Sequence, residues 1–227
     1  MLTEKMKQVW EKLWILLRAF GLLIICYLPA ILLSSFKSLG LIEFQQLVFL
    51  AIGVLVALTT WFFWWRAEKN GLQIWDSQFF SWRGLGIVLL GYTVMFCCDS
   101  LALYLMNVQG VDTTANQKEI VQLFAGLPFW LAFLLTTPLP ALAEEVVFRG
   151  YLYKKLFGEY RLVGLLLTSF LFGLLHGPTD WLSWFIYSSS GFVLGYVYYR
   201  TDYLVYPLAI HLMNNGIATI VHYFFTK

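Results

Sequence analysis

Two adjacent carboxylates and an arginine stand inside an apolar run of this sequence, Ala143-Glu144-Glu145-Val146-Val147-Phe148-Arg149. A charge in a membrane-type segment costs ~2.5–3.5 kcal/mol on insertion scales, so three in close succession require a reason. On a helix, Glu145 and Arg149 are at i and i+4 and can pair along one face. Glu144 lies about 100° further round and is left without that partner. This spacing has Arg149 secure Glu145 and leaves Glu144 available for chemistry. Taken alone, the stretch reads equally as a solvated patch at the end of a membrane helix.

Other polar groups sit in apolar surroundings further along. His176 follows Phe172 by one helical turn, and His211 and Asn215 are at i and i+4, so both point the same way. Each has a plain reading alone: a histidine near a helix end packs there, and an asparagine on a membrane helix bridges to a neighbour. Asn214 and His222 are given those plain readings. Depth makes the others a set. At a helical rise per residue, Glu144 lies ~15 Å from Lys154, His211 ~14–16 Å from Arg200 and Asp202, and His176 ~22 Å from Arg161. Glu144, His176, His211 and Asn215 can therefore meet at similar depth. Such a group suits hydrolysis. Glutamate or histidine takes a proton from water, and imidazole and amide N–H groups hold an oxyanion.

The elements that must position these residues are membrane helices. The 227 residues are 60% hydrophobic and only 12% charged, against about 25% charged in soluble domains. Apolar runs long enough to span a bilayer recur. The expectation is an all-α, polytopic transmembrane bundle of about seven spans, one domain over 1–227, with the site formed in the membrane core by the later helices. The spans are placed at 16–36, 44–65, 85–106, 127–157, 162–176, 181–199 and 204–225. Residues 1–18 read as an amphipathic, interfacial lead-in, and the first apolar run as a retained span rather than a cleaved signal.

Local signals refine that list. Pro29 predicts a kink in the first span, and Pro138 with Pro140 breaks the fourth, so that a fresh helix over 141–157 carries the charged motif. A short helix is expected after Thr113 or Thr114. Gly177-Pro178 ends the fifth span. Ser188, Ser189, Ser190, Gly191 and Gly195 predict close helix approach in the sixth. Asp99, an isolated acid in the third, reads as a helix-packing hydrogen bond. Cys26, Cys97 and Cys98 read as small buried hydrophobes rather than disulfide or metal partners.

Charge sets orientation. Lys37, Lys118 and Lys227 follow odd-numbered spans, whereas Lys5, Lys7, Lys12, Arg18, Arg66, Lys69, Arg83, Lys154, Lys155, Arg161 and Arg200 lie at the amino terminus or after even-numbered ones. The positive-inside rule places the amino terminus in the cytoplasm. No basic cluster or aromatic-interleaved basic stripe suggests nucleic acid. The partners expected are membrane lipid and a peptide or membrane-protein substrate.

Glu144-Glu145-x-x-x-Arg149, Phe172-x-x-x-His176 and His211-x-x-x-Asn215, in that order on three late helices, resemble the motifs of the CPBP (Abi) family. That family includes type II CAAX prenyl endopeptidases and bacteriocin-processing or immunity proteins. The resemblance covers about 141–215; the first three spans match only in being apolar. It implies an intramembrane endopeptidase of glutamate type. The positions matching Glu144 and His176 would activate water, those matching His211 and Asn215 would stabilise the oxyanion, and Glu145, Arg149 and Phe172 would support them. The seven-span length and short loops look bacterial, so a peptide precursor, a membrane-protein fragment or a bacteriocin-related substrate is expected over a prenylated CAAX tail.

Two other classes remain. A non-enzymatic immunity or scaffold protein would tolerate replacement of Glu144. A proton-coupled carrier would use buried Glu and His as a relay, but would carry inverted repeats, and none is found. No cofactor is expected. Glu144, His176 and His211 are the conceivable zinc ligands, but no HExxH pair is present and Asn215 is a poor ligand.

Overall fold

The computed structural model describes residues 3–40 and 45–225. Met1, Phe44 and Lys227, on which parts of the sequence reading fall, lie outside them. The described chain is helical, with α1 (Glu4–Ser38), α2 (Gln45–Lys69), α3 (Trp82–Val108), α4 (Ala115–Phe124), α5 (Phe129–Thr136), α6 (Pro138–Glu145), a π-wound segment (Val146–Leu156), α7 (Arg161–Leu175), α8 (Trp181–Thr201) and α9 (Val205–Phe225). Four stretches are long and apolar enough to cross a membrane by length and composition: α1, α2, α3 and the run from Phe129 to Leu156. α7 is a shorter apolar helix, and α8 and α9 are 21 residues each.

Helix ends follow local chemistry. Thr3, Ser81 and Thr114 each cap a helix by accepting a backbone N–H with the side chain. Asp180 and Ser183 form a reciprocal capping box at the start of α8. Gly177, with φ +57°, takes the left-handed turn after α7 that residues with a Cβ rarely adopt.

Three expectations are corrected. The lead-in and the first span are one helix of 35 residues that runs through the buried Pro29. Proline removes one backbone donor, and in a membrane helix neighbouring groups can make good the loss. The motif helix begins at Pro138 rather than 141, and from Val146 its winding widens to the π form. Of the cysteines only Cys26 is buried, and Cys97 is exposed on α3, because an outward apolar face in a bilayer needs no protein cover. The break at Pro138 and the short helix after Thr114 are as expected.

The run around the motif is the centre of the bundle. Every residue from Ala141 to Tyr153 is buried. α1, α2, α5 and α9 all pack against α6. α7 and α8 pack most closely with each other. A Cβ on Gly191 would stand 2.7 Å from the Phe172 Cβ, and one on Gly195 would stand 2.8 Å from a Leu165 methyl. The small residues of α8 thus let α7 approach.

Basic residues gather at one end. Lys154 donates to the Gly71 carbonyl at 3.0 Å, and Arg66 and Lys155 bond to Tyr151 and Asn70 respectively. Arg161 pairs with Asp202 at 2.9 Å. At the end of α1, Lys37 instead donates to the carbonyls of Leu123 and Ala125.

Candidate active site

Glu144 and Glu145 are the last two residues of α6, immediately before the winding changes. π winding is rare, mostly confined to single turns, and frequent at functional sites; here it runs for 11 residues. Both carboxylates are buried among apolar side chains, Glu145 completely.

Glu145 is held from two sides. Arg149 Nε lies 3.0 Å from its Oε2. That contact is close but not aligned as a hydrogen bond, since both atoms lack a hydrogen-bond partner. The second oxygen, Oε1, lies 3.1 Å from His211 Nδ1. Arg149 spends another donor, Nη2, on the Gly191 carbonyl at 2.9 Å. Its guanidinium lies over the Phe172 ring, 5.4 Å from the centroid. Phe172 in turn stands edge-on to Phe148 at 5.0 Å and to His211 at 5.9 Å. The π segment, α7, α8 and α9 are thereby locked around one ion pair.

The carboxylate fixes the histidine. With Nδ1 of His211 turned to Glu145, Nε2 faces the other way. Nε2 lies 3.8 Å from Glu144 Oε2, too far for a hydrogen bond. Oε2 of Glu144 is a buried oxygen without a hydrogen-bond partner. His176, which caps α7, is fixed in the same manner. Its Nδ1 donates to the Phe172 carbonyl at 2.8 Å, and its ring stacks on Tyr187 at 4.1 Å with 6° between planes.

A cavity of about 230 Å³ gathers Glu144, His176, His211 and Asn215 on its walls. The four residues come from α6, the end of α7 and α9.

The donors do not form a metal shell. Among the described residues, no group of three His, Cys, Asp or Glu side chains stands close enough to hold an ion. His211 Nε2 lies 3.8 Å from Glu144 Oε2, and its Nδ1 faces Glu145.

Known proteins share this region. Residues 126–217 match the family described as type II CAAX prenyl endopeptidase Rce1-like. These residues are similar to that family over less than half of the chain. The motifs at 144–149, 172–176 and 211–215 all fall inside that stretch. The chain is also 27% identical over 137 residues to UPF0177 protein YvdC of Lactococcus lactis subsp. lactis (strain IL1403), covering 59% of this chain and 51% of that protein. It is 22% identical over 230 residues to the membrane-embedded CAAX protease MroQ of Staphylococcus aureus (strain USA300), covering 95% and 90%. It is 28% identical over 110 residues to the putative membrane peptidase YdiL of Bacillus subtilis (strain 168), covering 47% and 42%. The matched part is thus about half the length of YvdC and less than half of YdiL. No solved structure matches the chain.

The sequence reading missed part of the site's surroundings. It paired Glu145 with Arg149 but not with His211, because 66 residues separate them and no local spacing reports such a contact. Tyr187, stacked on His176, was not singled out. Asp99 does make its expected bond across helices, accepting from Ser190 Oγ at 3.3 Å. It also lines the cavity, as do Asn116, Asn214 and His222. Its charge within an apolar span was the signal that could have found it.

Proposed function

We propose that the chain is an intramembrane endopeptidase of glutamate type, acting without a metal on a membrane-associated peptide or protein. The observation that carries this reading is the Glu144 Oε2 atom, buried, without a hydrogen bond and facing a histidine across a cavity. Glu144 takes a proton from water while the water oxygen bonds to the scissile carbonyl carbon. His176, whose Nδ1 is committed to a carbonyl, offers Nε2 as a second acceptor for that water. The carbonyl oxygen becomes an oxyanion, met by the Asn215 amide and by the His211 ring. Glu145 on Nδ1 holds that ring in place. Collapse breaks the carbon–nitrogen bond, and the proton on Glu144 passes to the leaving amine.

The carboxy-terminal similarity to type II CAAX prenyl endopeptidases and to a membrane-embedded CAAX protease supports the reaction class. The bacterial origin of the relatives favours a peptide precursor, a bacteriocin-related substrate or a membrane-protein fragment in a bacterial cell membrane. The basic end of the bundle favours a cytoplasmic amino terminus.

The test is cleavage of a peptide library by the purified chain in detergent, with and without a strong chelator, beside Glu144→Gln. The parent should cleave and survive chelation. Glu144→Gln should not cleave, yet should melt within a few degrees of the parent. Cleavage lost on chelation and restored by zinc would overturn the metal-free mechanism. Full activity of Glu144→Gln would overturn the role of the glutamate.

A further inference from the structure

The mechanism leaves one acid of the cavity unused. Asp99 sits half-buried on α3, outside the matched residues 126–217, and lines the same cavity as Glu144, His176 and His211. Its hydrogen bond is from the Ser190 hydroxyl at 3.3 Å, a long and neutral contact. Among the described residues no lysine, arginine or histidine nitrogen lies within 4.0 Å of it. Glu145, by contrast, has both an arginine and a histidine. A charge in a membrane interior is normally paired within the protein. Asp99 is not, and it borders space that a ligand can enter.

The neighbouring wall is polar in a matching way. Asn116 and Gln117, at the start of α4, line the same cavity. Asn116 Nδ2 donates to the Tyr187 hydroxyl at 3.1 Å, and the Thr114 and Tyr187 hydroxyls are 2.8 Å apart. Tyr187 is the ring stacked on His176. The polar wall beside Asp99 is therefore tied to the residue proposed to orient the water.

We propose that Asp99 is a specificity residue that receives a cationic amine of the substrate, with Ser190 orienting its carboxylate. The proposal rests on the cavity being the substrate site. A substrate ammonium supplies the charge that Asp99 lacks, and its charge-assisted hydrogen bonds are stronger than neutral ones. The group recognised is an ammonium, either a lysine side chain or a free α-amino terminus.

Three fluorescent ten-residue peptides of leucine and serine distinguish these sources. One has a central lysine and an acetylated terminus, one a central norleucine and a free terminus, and one a central norleucine and an acetylated terminus. Binding is read by fluorescence anisotropy with the full chain as Glu144→Gln in lipid nanodiscs, so that no peptide is consumed. The expected result is at least tenfold tighter binding of one cationic peptide than of the neutral one. Asp99→Asn, added to that chain, should bring the ratio near one, and Asp99→Glu should keep most of it. The cationic peptide that binds names the source. Equal or undetectable binding of all three, or a ratio unchanged by Asp99→Asn, overturns the proposal; Asp99 is then only a helix-packing group. Cleavage by the parent chain is scored separately. Cation-selective binding without any cleavage leaves Asp99 in place and removes the protease reading. Cleavage without cation selectivity does the reverse.

Discussion

The amino-terminal helices and the motif-bearing run use apolar residues in opposite ways. In the most apolar windows of α1, α2 and α3, only 22%, 28% and 22% of residues are buried inside the protein. In the run from Phe129 to Leu156 the share is 72%. The first three present leucines and aromatics outward, as with Leu90 and Trp61, each 67% exposed. The last surrounds three ionisable side chains with protein on every side. The difference teaches where each cost falls. Lipid tails satisfy an outward leucine as well as a neighbouring helix would, whereas a charge must be enclosed and given partners. The enclosed run is therefore where single substitutions matter most.

Arg149→Ala is the largest expected loss. It strands Glu145 in a fully buried place, and removing one partner of a buried pair costs ~3–5 kcal/mol. The variant should melt far below the parent in detergent. Equal melting temperatures would mean that Glu145 does not depend on Arg149, and that the central run is no more sensitive than the outer helices.

Gly191→Ala comes next. The added Cβ would stand 2.7 Å from the Phe172 Cβ, and overpacking of this kind costs ~1–3 kcal/mol. Phe172 contacts Arg149, His176 and His211, so peptide cleavage should fall along with stability. A variant with parental stability and cleavage would show that α7 can shift without disturbing the site.

At the basic end a smaller, pH-dependent effect is expected. On the loop between α2 and α3, Asp76 accepts from the Gln78 backbone N–H at 2.9 Å and from the Tyr206 hydroxyl at 2.7 Å. These bonds hold its carboxyl below the usual carboxylate range. The contribution to stability is present above the unfolded value, about 3.9, and is lost as pH falls through the lower folded value. Tyr206→Phe should lower stability at neutral pH and flatten the acid limb, the two proteins converging as pH falls below the folded value. An acid limb identical to the parent's would show that the loop is not fastened through Asp76.

Leu90→Ala on the outward face of α3 should change stability least, within about 0.5 kcal/mol, as for exposed sites without special contacts. A loss comparable to that of Gly191→Ala would show that this face packs against another protein surface, and would erase the contrast between the two regions.

Much of this architecture is legible in the sequence because hydropathy, caps and prolines act locally. The long apolar runs announce α1, α2 and α3, and Thr114 announces α4. Pro138 marks the break before α6, and Gly177-Pro178 marks the end of α7. The pairing of Glu145 with Arg149 is legible for the same reason, since a spacing of four residues is a statement about one helix. The wide winding after Glu145 is not legible, because helix propensities barely distinguish π from α winding and packing decides it. Nor is the bond from His211 to Glu145, or the stack of His176 on Tyr187. The sequence by itself determined that charges had to be enclosed, and which residue types were available to do so. The tertiary structure decided which of them face one another. That choice depends on how helices far apart in the chain rotate and approach, and no local spacing encodes it.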